Sequence, residues 1–174
     1  YCKEYHDHGH ENNPRYSRGM DTKRITGFNY RMTEIQAAIG KVQLKKLDMI
    51  LKKNEKRYKI LYDQLKNTIL KFRKIPSSTK PIYDTLIFSC RNKAKLRKIV
   101  NLLNAKGFGT KNLPDAIKWH CAFFWDHALN SSQISKLKKT KILLENSIAV
   151  PIWLKKSEKS YQKIGKEIFK VLND

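Results

Sequence analysis

The sequence predicts an α/β chain made of one long helix and a small α+β domain, and three observations carry that expectation. A helix start at Thr33 is followed by apolar residues at helical spacing as far as Leu65. Beyond Pro81, short β-rich runs alternate with amphipathic segments. The length of 174 residues is enough for one domain with a real core, or for a small domain carrying part of another.

Residues 1 to 32 are rich in His, Asn, Arg and Gly and show no sustained periodicity, so they read as an ordered loop segment. Thr33 and Gln36 have the spacing of a capping box, in which the hydroxyl accepts from a free amide three residues on and the Gln side chain reaches back. Ile35, Ile39, Val42, Leu47, Ile50, Leu51, Tyr58, Leu61 and Leu65 then form one stripe on a helix running to about Lys66. Such a helix spans about 50 Å at 1.5 Å per residue. That exceeds the usual globular length, and the place for a break is Lys52 to Glu55.

Pro76-Ser77-Ser78-Thr79-Lys80-Pro81 is a turn or linker signal, and a compact α+β unit is expected after it. Thr85 to Cys90 is β-rich, and Lys93 to Lys106 places Leu96, Ile99, Val100 and Leu103 on one helix face. Gly107 falls where a glycine just past the helix would end it. Phe108 to Lys111 returns as a strand, and Ser132 caps a helix carrying Ile134, Leu137 and Leu144. Ile148 to Ile152 is a short strand containing Pro151, and Glu158 to Leu172 is a final amphipathic helix through Tyr161, Ile164, Ile168 and Leu172. The expected organisation is therefore 1–32 as a loop segment, 33–67 as a connecting helix and 68–174 as the small domain.

The formal charge of +22 comes mostly from Lys. A surface that basic attracts nucleic acid or anionic membrane through counterion release. Lys, Asn, Ile, Tyr and Phe are plentiful while Gly and Pro are scarce, the usage expected under A/T-rich codons, and the lysines are spread over every segment. Footprints for nucleic acid cluster on one face or interleave with stacking aromatics, so nucleic acid is not expected as a partner. Cys2, Cys90 and Cys121 are odd in number and contain no Cys-x-x-Cys pair, which argues against a disulfide framework or a zinc ribbon. No apolar run approaches about eighteen residues, and no charged-then-apolar leader is present. A reduced, cytoplasmic setting without membrane is the expectation.

Two clusters carry candidate chemistry. In His6-Asp7-His8-Gly9-His10-Glu11, alternating histidines in an extended segment would point to one side and suit Zn²⁺ or Ni²⁺, although no distant Cys/His pair completes a tetrahedron. The same residues read also as a solvated loop, or as a segment at the edge of a substrate site or subunit, which is the reading preferred; no metal site is assigned. The second cluster is Gly27-Phe28-Asn29-Tyr30-Arg31-Met32, which sits just outside the Thr33 helix start.

From Tyr5 to about Asp48, His8-Gly9, Gly27 to Met32, Ile35-Gln36-Ala37-Ala38-Ile39-Gly40 and Gln43 to Asp48 together resemble the DegT/StrS family of pyridoxal-phosphate sugar aminotransferases, in family order. The resemblance is to the part that follows the cofactor lysine. It continues in Gly107-Phe108-Gly109-Thr110, similar to the strand after the small-domain helix, and in Ser147 to Ile152, similar to the closing serine-to-proline strand. It implies the C-terminal part of an aspartate-aminotransferase-like, fold-type I enzyme, with pyridoxal 5'-phosphate as cofactor. The implied whole is a homodimer that shares its active sites across subunits. It would move an amino group from a donor such as glutamate onto a keto-sugar, in surface-polysaccharide or amino-sugar biosynthesis.

The resemblance also implies roles. Asn29 would donate its amide to the cofactor phosphate in the neighbouring subunit, and Arg31 would pair with phosphate or a substrate anion. His8, Tyr30 and His120 would face substrate. Read from the residues alone, Asn29 is a turn former before a helix and Arg31 a structural ion pair. His120 lies in Trp119 to His127, which departs from the family's commoner proline-leucine-histidine pattern, so a nucleotide-linked keto-sugar and a free sugar acid both stay open. The family's Schiff-base lysine, the carboxylate on the pyridine nitrogen and the ring-stacking side chain all precede the matched region. The chain alone is therefore expected to be inactive. A basic nucleic-acid module and a small His-cluster metal protein are the rival readings, and neither explains Asn29 to Ala38.

Overall fold

The computed structural model describes residues 1–17 and 19–174. Its backbone separates into two compact units, Tyr1–Leu47 and Asp48–Asp174, so the division falls inside the expected connecting helix.

The first unit opens with a short helix α1, Cys2–His6, inside the segment read as loop. Five residues are too few to display a helical period, which is why the sequence conceals it. Isolated bridges join Asp7 to Asn29 and His10 to Lys23, folding the polar segment back on itself. Helix α2, Glu34–Lys45, starts at the expected capping box: Thr33 Oγ1 accepts from Gln36 N at 3.3 Å, and Gln36 Oε1 accepts from Thr33 N at 2.9 Å. None of its residues is buried, and Ile35, Ile39 and Val42 are exposed.

The helical stripe is thus interrupted, and at Lys46 rather than between Lys52 and Glu55. The Lys46 N–H is shared between the carbonyls of Gln43 and Leu44, a tightened last turn, and helix α3 then runs from Leu47 to Leu65. Lys52 to Glu55 stays helical because Lys52, Lys53 and Glu55 are good helix formers and Glu55 pairs with Lys59 one turn on, at 2.7 Å. Of the expected stripe, Tyr58, Leu61 and Leu65 are buried.

In the second unit, strands β1, Lys71–Phe72, β2, Thr85–Ser89, and a later β3, Ser147–Pro151, form an antiparallel sheet in the order β1-β2-β3. Leu86 faces Val150 and Phe88 faces Ile148. Helix α4, Lys93–Ala105, is capped by Asn92 Oδ1, which accepts from Lys95 N. It ends as expected at Gly107, whose φ of +65° lets Gly107 N reach Asn104 O and Phe108 N reach Leu103 O. Phe108 to Lys111, expected to be a strand, is irregular instead. Among the described residues, only Lys111 N, bonded to Ala149 O, and Leu113 O, accepting from Ala149 N, dress the outer edge of β3.

A short helix α5, Ile117–His120, and a 3-10 turn at Ala122–Phe124 precede α6, Ser131–Ser135, and α7, Lys138–Glu145. Asn130, not Ser132, caps α6, because its carboxamide accepts from Gln133 N in a second capping box. Helix α8, Glu158–Asn173, starts at Ser157 and buries Tyr161, Ile164, Ile168 and Leu172, as the pattern predicts. These side chains meet Leu61 and Leu65 of α3, Leu86 and Phe88 of β2, Ile99 and Leu103 of α4, and Ile148 and Val150 of β3 in one core. Among the described residues no helix is long and apolar enough to cross a membrane.

Tyr161 carries a polar load at the centre of this core. Its fully buried hydroxyl accepts from Trp153 N at 2.6 Å and donates to Pro151 O at 3.2 Å, satisfying the chain where it leaves β3. Tyr161→Phe keeps the packing and strands both backbone groups, so it should cost about 1–3 kcal/mol. The check is a urea midpoint that falls with an unchanged slope; an unaltered midpoint would contradict the role.

Candidate functional site

The site is built where the first unit's chain meets itself. Phe28 N donates to Tyr5 O at 2.8 Å, His8 N to Phe28 O at 3.0 Å and Tyr30 N to His6 O at 2.9 Å, lacing the end of α1 to residues 28–30. The lacing requires two glycines. A Cβ on Gly27 would lie 2.2 Å from Gly9 N, and one on Gly9 would lie 2.0 Å from Ile25 O, while Gly9 itself holds φ +81°. Each is a collision with backbone, which no rotamer relieves.

Asp7 is the hub of the result. Its Oδ1 lies 3.2 Å from Arg31 Nε and 3.4 Å from His8 Nδ1. Asn29, bridged to Asp7 by backbone, turns its Oδ1 toward Arg31 N and Nε, both at 3.4 Å. His8 and Arg31 line a cleft of about 550 Å³, together with Asp7, His10, Asp21 and Lys23. Asn29 and Tyr30 stand outside the cleft wall; the Tyr30 ring packs on Tyr5 and Phe28 at 6.2 and 5.6 Å. His120 belongs to the other unit, at the exposed end of α5 with its ring stacked on Trp119.

Sequence reasoning left His10 without a role, and the structure gives it a partner. Its Nδ1 is 3.2 Å from Asp21 Oδ1, and Asp21 Oδ2 also accepts Asn12 N at 2.8 Å. An ionised carboxylate only accepts, so the proton sits on Nδ1 and Nε2 is the ring atom left to act. Burial of the side chain opposes ionisation of Asp21, yet the Asn12 amide and His10 outweigh it and hold the carboxyl below its ordinary range. Beside it the Thr22 hydroxyl and then Arg24 lower Glu11. The three alternating histidines do not line up on one side of a strand, because His6 closes α1 with Nδ1 on Lys3 O and His8 takes φ +57°, but the rings of His8 and His10 meet at the cleft with centroids 6.1 Å apart. Among the described residues no three His, Cys, Asp or Glu side chains converge as metal ligands.

Chemically, the arrangement presents donors to an anion. The Asn29 carboxamide has its oxygen turned to Arg31, which leaves the NH₂ group to donate outward. Arg31 uses Nε on Asp7, and among the described residues its terminal nitrogens have no hydrogen-bond partner. A phosphate fits such a donor set. The capping box behind Met32 holds the run in place, so little entropy is lost in presenting it.

The glycine crossing makes a direct prediction: Gly27→Ala should strip exchange protection from the His8, Phe28 and Tyr30 amides while that of β2 and β3 persists, as read by hydrogen exchange. Retained protection at those three amides would refute the crossing's importance. The Asp21 clasp predicts a pH dependence. With the folded carboxyl titrating below its unfolded value of about 3.9, its stabilising contribution is complete above that pH and is lost as pH falls through the folded value. Protection of the Asn12 amide should therefore collapse in acid, and Asp21→Asn should flatten that pH response.

A model of the DegT/DnrJ/EryC1/StrS aminotransferase family matches residues 1–169. The PLP form of a putative sugar aminotransferase, Spr1654 from Streptococcus pneumoniae, superposes with a TM-score of 0.74 at 14% identity, covering 98% of this chain and 42% of that one. PseC of Helicobacter pylori, an aminotransferase involved in pseudoaminic acid biosynthesis, gives 0.70 at 18% identity, covering 98% and 45%. 3-Amino-5-hydroxybenzoic acid synthase gives 0.72 at 17%, covering 99% and 46%. The chain thus spans a little under half the length of these structures, and it matches the C-terminal part of the fold-type I architecture. On the family match over nearly its whole length, the chain belongs to the DegT/DnrJ/EryC1/StrS aminotransferase family, whose cofactor is pyridoxal phosphate.

Proposed function

We propose that the chain is the C-terminal portion of a pyridoxal-phosphate-dependent aminotransferase that delivers an amino group to a keto-sugar, nucleotide-linked or a free sugar acid. The donor is an amino acid such as glutamate, and the enzyme works as a cytoplasmic homodimer. Residues 1–32 close its large domain, 33–67 connect, and 68–174 form the small domain. The observation that carries this reading is the Gly27–Arg31 run, clamped through Asp7 and a capping box so that the Asn29 amide and the Arg31 guanidinium are offered as a pair beside a cleft.

When bound, pyridoxal phosphate supplies the electron sink that lets nitrogen leave a donor and enter a carbonyl. What this chain adds is binding and orientation. Asn29 donates to the cofactor phosphate of the partner subunit, and Arg31 neutralises that phosphate or a substrate anion. His8 and Tyr30 border the substrate from the same strand crossing, and the substrate role of His120 rests on the family resemblance alone. None of these residues replaces the cofactor lysine, so the chain by itself is inactive.

The test uses the complete enzyme, with the lysine-bearing half supplied. Asn29→Ala removes one hydrogen bond to a charged phosphate, worth about 1.5–3 kcal/mol, so cofactor affinity should fall about 10- to 150-fold. A mixed dimer of a chain lacking the lysine but keeping Asn29 with a lysine-bearing Asn29→Ala chain should retain one intact site. If it binds pyridoxal phosphate no better than the Asn29→Ala homodimer, Asn29 does not act across the subunits.

A further inference from the structure

The second unit gathers aromatic rings and cations that are scattered in the sequence. Tyr58 and Tyr62 lie one turn apart on α3 with rings stacked at 6.1 Å. Tyr83, from the turn before β2, meets Tyr58 edge-on at 5.0 Å, and Phe72 of β1 meets Tyr62 edge-on at 5.0 Å. These four rings and Ile75 floor an open groove of about 410 Å³, rimmed by Lys59, Arg73 and Lys74. Tyr58 is buried, whereas Tyr62, Phe72 and Tyr83 are each partly exposed, so the groove offers ring surface to a ligand.

Its parts are held firmly. Arg73 N donates to Ile87 O at 3.0 Å, anchoring the rim to β2. Tyr83 adopts φ +53°, which a bulky residue rarely does, and the buried Asn54 steadies the turn by donating from Nδ2 to Ile82 O at 3.2 Å. Lys59 is paired with Glu55, but among the described residues Arg73 and Lys74 have no ion pair. Partly exposed aromatic faces beside free cations are what a ligand with a flat ring and a nearby negative charge requires. The net charge of +22 favours the same ligand sign.

We propose that this groove binds a nucleobase together with its phosphate, the base stacking on Tyr62 and Tyr83 and the phosphate meeting Arg73 and Lys74. It uses none of the residues assigned above to cofactor or substrate, and it stands whether or not that assignment holds. The unit that binds comes either from a free nucleotide or from a single strand. Recognition is by π-face and charge, so it tolerates sequence.

The 174-residue chain is titrated into a fluorescent oligouridylate of about twelve nucleotides at about 0.2 M salt, where phosphate contacts alone are weak. Tyr62→Ala, which leaves the charge unchanged, should weaken binding about 5- to 150-fold. Arg73→Gln with Lys74→Gln, which leaves the core intact, should weaken it more than Lys138→Gln with Lys139→Gln, which removes equal charge from α7. A 4-thiouridine strand should photocrosslink to the Tyr62–Tyr83 groove of the unaltered chain. Competition by uridine monophosphate would identify a free nucleotide as the occupant, and resistance to it, with the Tyr62 and crosslinking results intact, a strand. Crosslinks spread over the surface, or equal losses from the two charge pairs, would overturn the proposal and leave diffuse charge as the cause.

Discussion

Everything at the candidate site depends on how closely two backbone stretches approach one another at Gly9 and Gly27. A side chain at either position would penetrate a peptide group of the other stretch or of Ile25. Because both lack a Cβ, the carbonyls and amides of residues 5–8 and 28–30 come within hydrogen-bonding distance. Asp7 is thereby placed against Arg31 and His8, and Asn29 beside Arg31. The polar side chains do not create this geometry; they are arranged by it.

The second unit is organised by a different constraint, the need to bury one apolar set drawn from distant segments. β3 is buried at all five positions, covered by helices and with its outer edge dressed by Lys111 and Leu113. Arg57, itself buried, donates to the carbonyls of Lys53, Leu154 and Lys156, tying α3 to the chain that leads into α8. Such ties satisfy backbone groups that would otherwise be buried without partners.

Legibility follows the range of the physics involved. The cap at Thr33 and the glycine after α4 act within four residues, and a short window of sequence displays them. β2 and β3 show as apolar runs because burial along a strand is written residue by residue. The break at Lys46 was misplaced because nothing in its composition marks it: no Gly or Pro is there, only a tightened hydrogen bond. Phe108 to Lys111 has β-like composition, but too little of its backbone pairs with β3 to form a strand. At the candidate site, the motif singled out His8 and Arg31, and both line the same cleft. The His10 and Asp21 clasp was not legible, since the two residues stand in different strands of the fold-back and no local pattern pairs them.

What the sequence alone determined is the fold class, the helix start at Thr33 and the helix end at Gly107, the core stripes of α4 and α8, and, through Gly27 to Ala38, the family. Each is encoded by neighbours close along the chain, where periodicity, capping chemistry and turn preference operate. The tertiary structure decided which half of the long apolar stripe is buried and why two particular glycines are needed. It also decided that Asp7 serves His8 and Arg31 together, and that Tyr58, Tyr62, Phe72 and Tyr83 form one surface. Those outcomes rest on contacts between segments far apart in the chain, and their partners become known only when the backbone has closed on itself.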